Sequence, residues 1–380
     1  MKIVFTGGGT GGHFYPIIAI AEAVRDVVNE QKILPPTLYY LADKPYDEES
    51  LFANDIIFLQ APAGKLRRYT SFANVTDIFV TAAGIIKCLF ILLKVYPDVI
   101  VSKGGYASVP TVIAASLLRI PVIIHESDSK PGRANLLAAK KAVRIAIAFE
   151  SAKEGFPKKY QGKVAKTGIP VRKRLMQLVP KDEAKQALSL DLGAPTVLII
   201  GGSTGSMRIN ETVLDALPNL VSFANVIHQT GKDNFESVTN TGKVIIEKTG
   251  YAERYHPYPY LNVESFVLAA SAADVIITRA GSTSITEISL WGKPAILIPI
   301  PESVSHDQRT NAYAYAHTGA AVVLEEANLT PHVLASEAKR ISTDPAVAAH
   351  MGALAAGFSN PNAGRIIAEE AVRIGISHEK

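Results

Sequence analysis

One unit recurs in both halves of the 380-residue chain: a short apolar run, a glycine-rich turn, then a helical pattern. "KIVFTGGGTGGHFYPIIAIAEAV" begins at residue 2 and "TVLIIGGSTGSMRINETVLDAL" at residue 196. "DVIVSKGGYASVPTVIAASLL" and "DVIITRAGSTSITEISLW" repeat the plan further along each half. Their apolar runs are continuous rather than alternating, as are "TLYYLA", "PVIIHES", "RIAIAF", "NVIHQTG" and "PAILIPI". Strands of that kind are buried on both faces, and the helical patterns between them make parallel βαβ units. The chain is too long for one ordinary core. The fold expected is therefore α/β, with two Rossmann-like domains facing a cleft, because such sheets bind ligands beyond the carboxyl ends of their strands. The "KTGIPVRKRL" stretch (166–175) marks the boundary, giving domains at 1–168 and 169–360. A helical stretch at about 361–380 is expected to pack back on the first domain.

Composition narrows the function classes. A net charge of +4 and a pI near 8.9 suit a protein that meets anionic surfaces, although ordinary surface lysines give the same balance. The charge is too small to suggest nucleic acid as a partner. Cys88 is the only cysteine, which excludes an intrachain disulfide or a cysteine-based metal site and fits a reducing compartment. The "IVF" after Lys2 is too short for a signal peptide core. The most apolar stretch, residues 82–96, is broken by Lys87 and Lys94 and stops at Pro97. It falls short of the roughly 20 residues a spanning helix needs, so no membrane crossing is expected. Lys65, Arg67 and Arg68 precede helically spaced Ile78, Phe79, Ile85, Ile86, Leu89, Phe90 and Leu93. That is the pattern of a segment lying on anionic lipid, and equally of a helix packed on a sheet.

The glycine turns carry the candidate chemistry. Gly7–Gly12 bring backbone N–H groups and a helix N-terminus close to an anion. They lack the Lys-Ser/Thr ending of a P-loop. They also match G-x-G-x-x-G loosely, but the second strand shows Tyr39, Tyr40 and Leu41 where a dinucleotide fold places its ribose acid. His13, at the start of that helix, is a candidate general base, held neutral by the positive helix end. In the second half, Ser203 adds a hydroxyl to the "GGSTGS" turn, and Arg172 offers a charge for a diphosphate. Ser282, Thr283 and Ser284 crowd a helix start one turn before Glu287. Glu287 suits ribose hydroxyls, while Ser284-x-x-Glu287 also reads as a capping box. Asp307 and Gln308 follow an apolar strand, where they suit sugar hydroxyls. No D-x-D or H-E-x-x-H motif occurs, so metal-diphosphate and zinc-protease signatures are missing.

Taken in order, "TGGGTGGH", "SKGGYASVP", "HESD…PGRAN", "TGIPVR", "GGSTGS", "RAGS…TE" and "DQRTNA" resemble the MurG-type peptidoglycan glycosyltransferases from residue 1 to about 365. The resemblance implies the GT-B architecture and an inverting transfer. N-acetylglucosamine would move from UDP-GlcNAc to the 4-hydroxyl of the MurNAc sugar in undecaprenyl-diphosphate-linked lipid I. By the same resemblance the donor meets Thr10, Gly11, Gly12, Asp128, Arg172, Ser203, Phe266, Val267, Ser282, Thr283, Ser284, Glu287 and Gln308. Phe266–Val267 is expected to form a uracil-contacting turn. The acceptor would meet Gly104, Gly105, Tyr106 and Asn135, with His13 as base on its hydroxyl. Lys65, Arg67, Arg68, Phe79, Ile86 and Phe90 would face the inner surface of the bacterial plasma membrane. UDP-GlcNAc, lipid I, anionic lipid and other cell-wall synthesis proteins are the implied partners, with no obligatory metal. Asp128 in "HESD", Thr204 in the second turn and Lys103 in "SKGG" depart from the commoner pattern, and Lys103 is expected on the acceptor side. The alternatives are a related transferase with another lipid-linked or sugar acceptor, a Rossmann oxidoreductase, and a nucleotide-binding scaffold.

Overall fold

The computed structural model describes residues 1–65, 73–202, 205–304 and 306–378. The chain forms two compact units. The first is Met1–Arg172 with Asn360–Lys380, and the second is Lys173–Ser359.

Seven strands build the first sheet: β1 (Lys2–Thr6), β2 (Thr37–Ala42), β3 (Ile56–Gln60), β4 (Val99–Ser102), β5 (Val122–Glu126), β6 (Arg144–Ile147) and β7 (Val164–Lys166). Their order is β3-β2-β1-β4-β5-β6-β7, parallel throughout, with Ile3 opposite both Leu38 and Val99. The apolar runs are continuous because both faces are covered. Ile3 and Phe5 of β1 pack with the helix Gly11–Glu30, while Val4 points to the opposite layer with Cys88, Leu92 and Val112. The helix Ala363–His378 lies on the Gly11–Glu30 side and buries Ile367, Ala371 and Val372 there. Arg365 pairs with Glu30 at 2.6 Å at its rim.

The second sheet comprises β8 (Thr196–Ile200), β9 (Asn225–Gln229), β10 (Tyr255–Tyr258), β11 (Val275–Thr278), β12 (Ala295–Leu297) and β13 (Ala321–Val323). It is ordered β10-β9-β8-β11-β12-β13 and again parallel. Leu198 and Ile276 face the helices Val263–Ala272 and Ser282–Leu290. Val197 and Ile277 face Met207–Phe223 and Pro331–Ser342. In both units β1 or β8 sits centrally, with the strand order reversing beside it. The turns after β1 and β4, and after β8 and β11, therefore open at the carboxyl ends of neighbouring strands, where ligands of such sheets bind.

One expectation is corrected. The apolar segment begins before residue 82, in a helix that runs Ala73–Val95. Its window Thr76–Val95 is long and apolar enough to cross a membrane by length and composition, and 22% of that window is buried. Lys87 and Lys94 interrupt the apolar run in sequence without interrupting the helix.

Candidate active site

The first glycine turn is held from three sides. The Tyr40 hydroxyl donates to the Gly7 carbonyl at 2.5 Å, and the Gly9 backbone lies against the Tyr106 ring. The loop after β4 closes the third side. Gly105 has φ +77°, and a Cβ there would stand 2.9 Å from the Gly8 carbonyl oxygen, so only glycine fits. Tyr106 is anchored by donating its hydroxyl to Asp43 Oδ2 at 2.9 Å, and burial, with that bond second, raises its pKa to about 12.

Thr10 occupies the N-cap of the helix Gly11–Glu30, but its side chain does not cap. It bonds His13 Nδ1 at 2.9 Å instead. His13 Nε2 faces Gly105 across the turn. Its pKa is pushed down to about 4, chiefly by desolvation, next by the nearby Lys103 ammonium, with Asp128 acting the other way. Burial and a lysine thus act in addition to the helix end expected from sequence.

Lys103 does not reach the surface on the acceptor side. It is 1% exposed, and its Nζ donates to His125 Nδ1 at 2.6 Å and to Ser127 Oγ. His125 Nε2 bonds the Gly168 carbonyl at 2.8 Å. Glu126 accepts from the backbone N–H of Asp128 and Gly132 and from Asn135 Nδ2, so it ties the loop after β5 together. Burial raises the Glu126 pKa. Asn135 also donates to the His125 carbonyl, while its buried Oδ1 is unsatisfied beside Gly104. Gly104, Gly105, Tyr106, Asn135, His13 and Thr10 are therefore gathered around one pair of turns. Sequence reasoning missed the supports beneath them: Tyr40, Asp43, His125 and Glu126.

Arg172 ends the first unit. Its guanidinium stacks on the Tyr15 ring at 3.9 Å, and its buried Nε has no hydrogen-bond partner. An arginine held by an aromatic face keeps donors available for an anion.

In the second unit, Ser203 and Thr204 lie outside the described residues. The turn around them is fixed by Gln229, which donates to the Gly202 carbonyl at 3.1 Å and accepts from Leu261 N. Gly205, with φ +79°, passes so close to the Thr230 carbonyl that no Cβ fits. Ser206 caps the helix Met207–Phe223 and accepts from Arg279 at 2.7 Å, while Arg279 pairs with Glu326 at 2.5 Å. The capping-box reading of Ser284 and Glu287 is corrected: the helix starts at Ser282, with Gly281 as N-cap and no side-chain cap bond. Ser284 already sits inside the first turn. Phe266 and Val267 are likewise helical rather than a turn, within Val263–Ala272, where Asn262 caps the start. Phe266 packs edge-on to Trp291 at 5.2 Å, and Val267 is buried. Gln308 lies on the helix His306–Ala316 and accepts from Ile300 N at 3.1 Å. Among the described residues, no group of three or more His, Cys, Asp or Glu side chains is placed to hold a metal ion.

The helix Ala73–Val95 packs through Cys88 and Leu92 and leaves Phe79, Ile86, Phe90 and Leu93 exposed at 72%, 57%, 70% and 56%. Their spacing places them on one face. Lys65 is exposed, with its Nζ 5.9 Å from the Tyr106 ring, and Arg67 and Arg68 lie outside the described residues.

Residues 3–147 match the glycosyltransferase family 28 N-terminal domain, and residues 196–364 match the glycosyltransferase family 28 C-terminal domain. A relative from Treponema denticola is 35% identical over 87% of this chain and 85% of its own length. One from Bacillus anthracis is 36% identical over 90% and 91%. Both carry the name UDP-N-acetylglucosamine--N-acetylmuramyl-(pentapeptide) pyrophosphoryl-undecaprenol N-acetylglucosamine transferase, the second with the suffix 2. The crystal structure of Acinetobacter baumannii MurG superposes with a TM-score of 0.72 at 22% identity, covering 98% of this chain and 99% of that one. A UDP-N-acetylglucosamine 2-epimerase structure from Listeria monocytogenes, so described as putative in its own name, gives 0.71 at 13% identity over 99% and 96%. These likenesses give the fold, which is GT-B. The chain belongs to glycosyltransferase family 28, in its MurG-type group.

Proposed function

We propose that this protein transfers N-acetylglucosamine from UDP-GlcNAc to the 4-hydroxyl of the MurNAc sugar of lipid I, with inversion, to give lipid II for peptidoglycan. The observation that carries the reading is identity of about 35% along nearly the whole chain with relatives of that name. The paired turns around His13 supply chemistry that suits it.

In this reading the first unit takes the acceptor and the second the donor. With Nδ1–H donated to Thr10, the lone pair of His13 sits on Nε2. Nε2 takes the proton of the attacking hydroxyl as the oxygen bonds to the anomeric carbon. The bond from that carbon to the UDP oxygen breaks, and its electron pair leaves with UDP. A base of pKa near 4 is weak in the empty protein. An acceptor diphosphate beside the backbone N–H groups of Gly104 and Gly105 adds negative charge, which raises it toward the working range. Glu287 takes the ribose hydroxyls, the half-buried Phe266 the uracil, and Gln308 the donor sugar, with Thr10, Gly11, Gly12 and Asp128 at its edge. Ser203, Ser282, Thr283, Ser284 and Arg172 meet the diphosphate. Helix N-termini and a guanidinium stabilise the leaving charge by preorganised positive potential, with no obligatory metal.

The exposed stripe Phe79, Ile86, Phe90 and Leu93 lies on anionic lipid at the inner face of the plasma membrane, with Lys65, Arg67 and Arg68 adding charge. Incubation with UDP-GlcNAc and a panel of lipid-linked acceptors tests the reading. Transfer confined to lipid I is expected, and transfer to a different acceptor in preference to lipid I would contradict it.

A further inference from the structure

Arg172 is a half-buried cation with no carboxylate partner among the described residues. The contrast is two residues on, where Arg174 donates its Nε to Glu264 at 3.0 Å. The Arg172 Nε is buried and makes no hydrogen bond. An unpaired charged donor is costly, so something other than a counter-ion has to hold it. What the structure supplies is the Tyr15 ring, whose centroid lies 3.9 Å from the guanidinium carbon. A guanidinium resting on a ring face gains attraction there and keeps its N–H donors for another partner.

Tyr15 is itself fixed on three sides. It stands two residues after His13 in the helix Gly11–Glu30, with its ring edge-on to Phe14 at 5.5 Å and to Tyr46 at 5.8 Å. Its hydroxyl donates to Asp47 Oδ2 at 3.3 Å. Asp47 is immobilised in turn as the N-cap of the helix Glu48–Ala53, accepting from Ser50 N at 2.9 Å and Ser50 Oγ at 2.7 Å. Phe14 is fully buried and meets the Tyr40 ring at 5.5 Å, and Tyr40 holds the Gly7 carbonyl. One aromatic block therefore carries the first glycine turn, the helix start that bears His13, and the arginine.

We propose that Tyr15 is a positioning residue for Arg172, holding the guanidinium ready for the donor diphosphate. The charge that leaves with UDP then meets a cation that needs no reorganisation. Because Tyr15 and His13 share a helix start, the base and the leaving-group cation are placed by the same rigid block. The inference rests on the transfer reading, which gives Arg172 that diphosphate. Donor and lipid-linked acceptor both carry a diphosphate, and the test separates them.

The test measures UDP affinity by calorimetry and uridine affinity by ligand-observed NMR, in the full chain with Tyr15→Leu, Tyr15→Phe, Arg172→Ala and the Leu–Ala double variant. Tyr15→Leu is expected to weaken UDP binding roughly three- to thirtyfold, the range of a partly desolvated cation–π contact. Uridine, which has no phosphate, should bind as before. Tyr15→Phe keeps the ring and should retain nearly full UDP affinity. In the Arg172→Ala background Tyr15→Leu should cost nothing more, because the tyrosine acts through the arginine. Unchanged UDP affinity in Tyr15→Leu, an equal loss for uridine, or the same loss without Arg172 would each overturn the proposal. So would a raised KM for lipid I with UDP affinity intact, which would give Arg172 to the acceptor diphosphate. If Tyr15→Leu does not fold, Arg172→Lys decides: it keeps the charge and gives up the flat contact, so UDP affinity should fall, and full affinity overturns the proposal. A parent protein that transfers nothing would count against the transfer reading, while UDP titration still reports on Tyr15.

Discussion

His13 Nδ1 lies 2.9 Å from the hydroxyl of Thr10, the residue at the N-cap of its own helix. A threonine there ordinarily satisfies a backbone N–H. This one orients an imidazole instead, and the helix start is left without a side-chain cap. Local helix stability gives way to placement of a ring nitrogen at the mouth of the turn.

Replacing His13 by Ala should lower kcat by about 10²–10⁴-fold, the usual contribution of a positioned base. Calorimetric affinity for UDP-GlcNAc should stay nearly unchanged, since the donor contacts are assigned elsewhere. Thr10→Val should reduce kcat more mildly, through loss of the ring's orientation, and should weaken the contact with the donor sugar as well. Equal loss of turnover and of donor affinity in His13→Ala would remove the base assignment.

Much of this arrangement is legible in the residues, and what is not has a physical cause. The nine apolar runs named from sequence are β1, β2, β4, β5, β6, β8, β9, β11 and β12. Those that escape are β3, β7, β10 and β13, and each is the edge of its sheet. An edge strand is paired on one flank only and is less buried, so it needs no continuous apolar run. Ile56–Gln60, for instance, has only Ile56 fully buried.

Within the site, the glycines and His13 announce themselves because turn chemistry is local. The supports do not. Asp43 reaches Tyr106 across 63 residues and Lys103 reaches His125 across 22. No local pattern encodes such pairings. The supposed capping box failed for a related reason, since Gly281 starts the helix earlier than the serine spacing suggests.

Glu287→Ala should weaken UDP binding by about tenfold or more, in line with hydrogen bonds to a charged group worth about 1.5–3 kcal/mol. Titration calorimetry with UDP checks this, and unchanged affinity would remove the ribose role.

Acidification should destabilise the fold before carboxylates titrate. His228 is fully buried between Tyr255 and Asn210, and desolvation lowers its pKa to about 3. Its neutral form is favoured in the folded state, so its contribution is complete above the unfolded value of about 6.5 and is lost as pH falls toward 3. The slope from one such group is up to about 1.4 kcal/mol per pH unit. Urea unfolding at several pH values should show that decline, and His228→Gln should flatten it. His125, also held well below its ordinary value, should add to the slope.

Exposed phenylalanines at positions 79 and 90 should dominate lipid binding. Burying one side chain of this size is worth about 1.5–3 kcal/mol, so each Phe→Ser change should weaken binding to phosphatidylglycerol vesicles roughly tenfold or more. Turnover of a short-chain, water-soluble acceptor should persist in both variants. Vesicle sedimentation checks the point, and unchanged binding in the double variant would assign the stripe to another contact.

The most direct test of the central claim is the linkage formed when the purified protein acts on UDP-GlcNAc and lipid I, read by NMR of the released disaccharide. The account predicts a single product with GlcNAc joined β to the 4-hydroxyl of MurNAc, lost in parallel reactions with His13→Ala. An α-linkage, attachment to another hydroxyl, or lipid I recovered unchanged would contradict it.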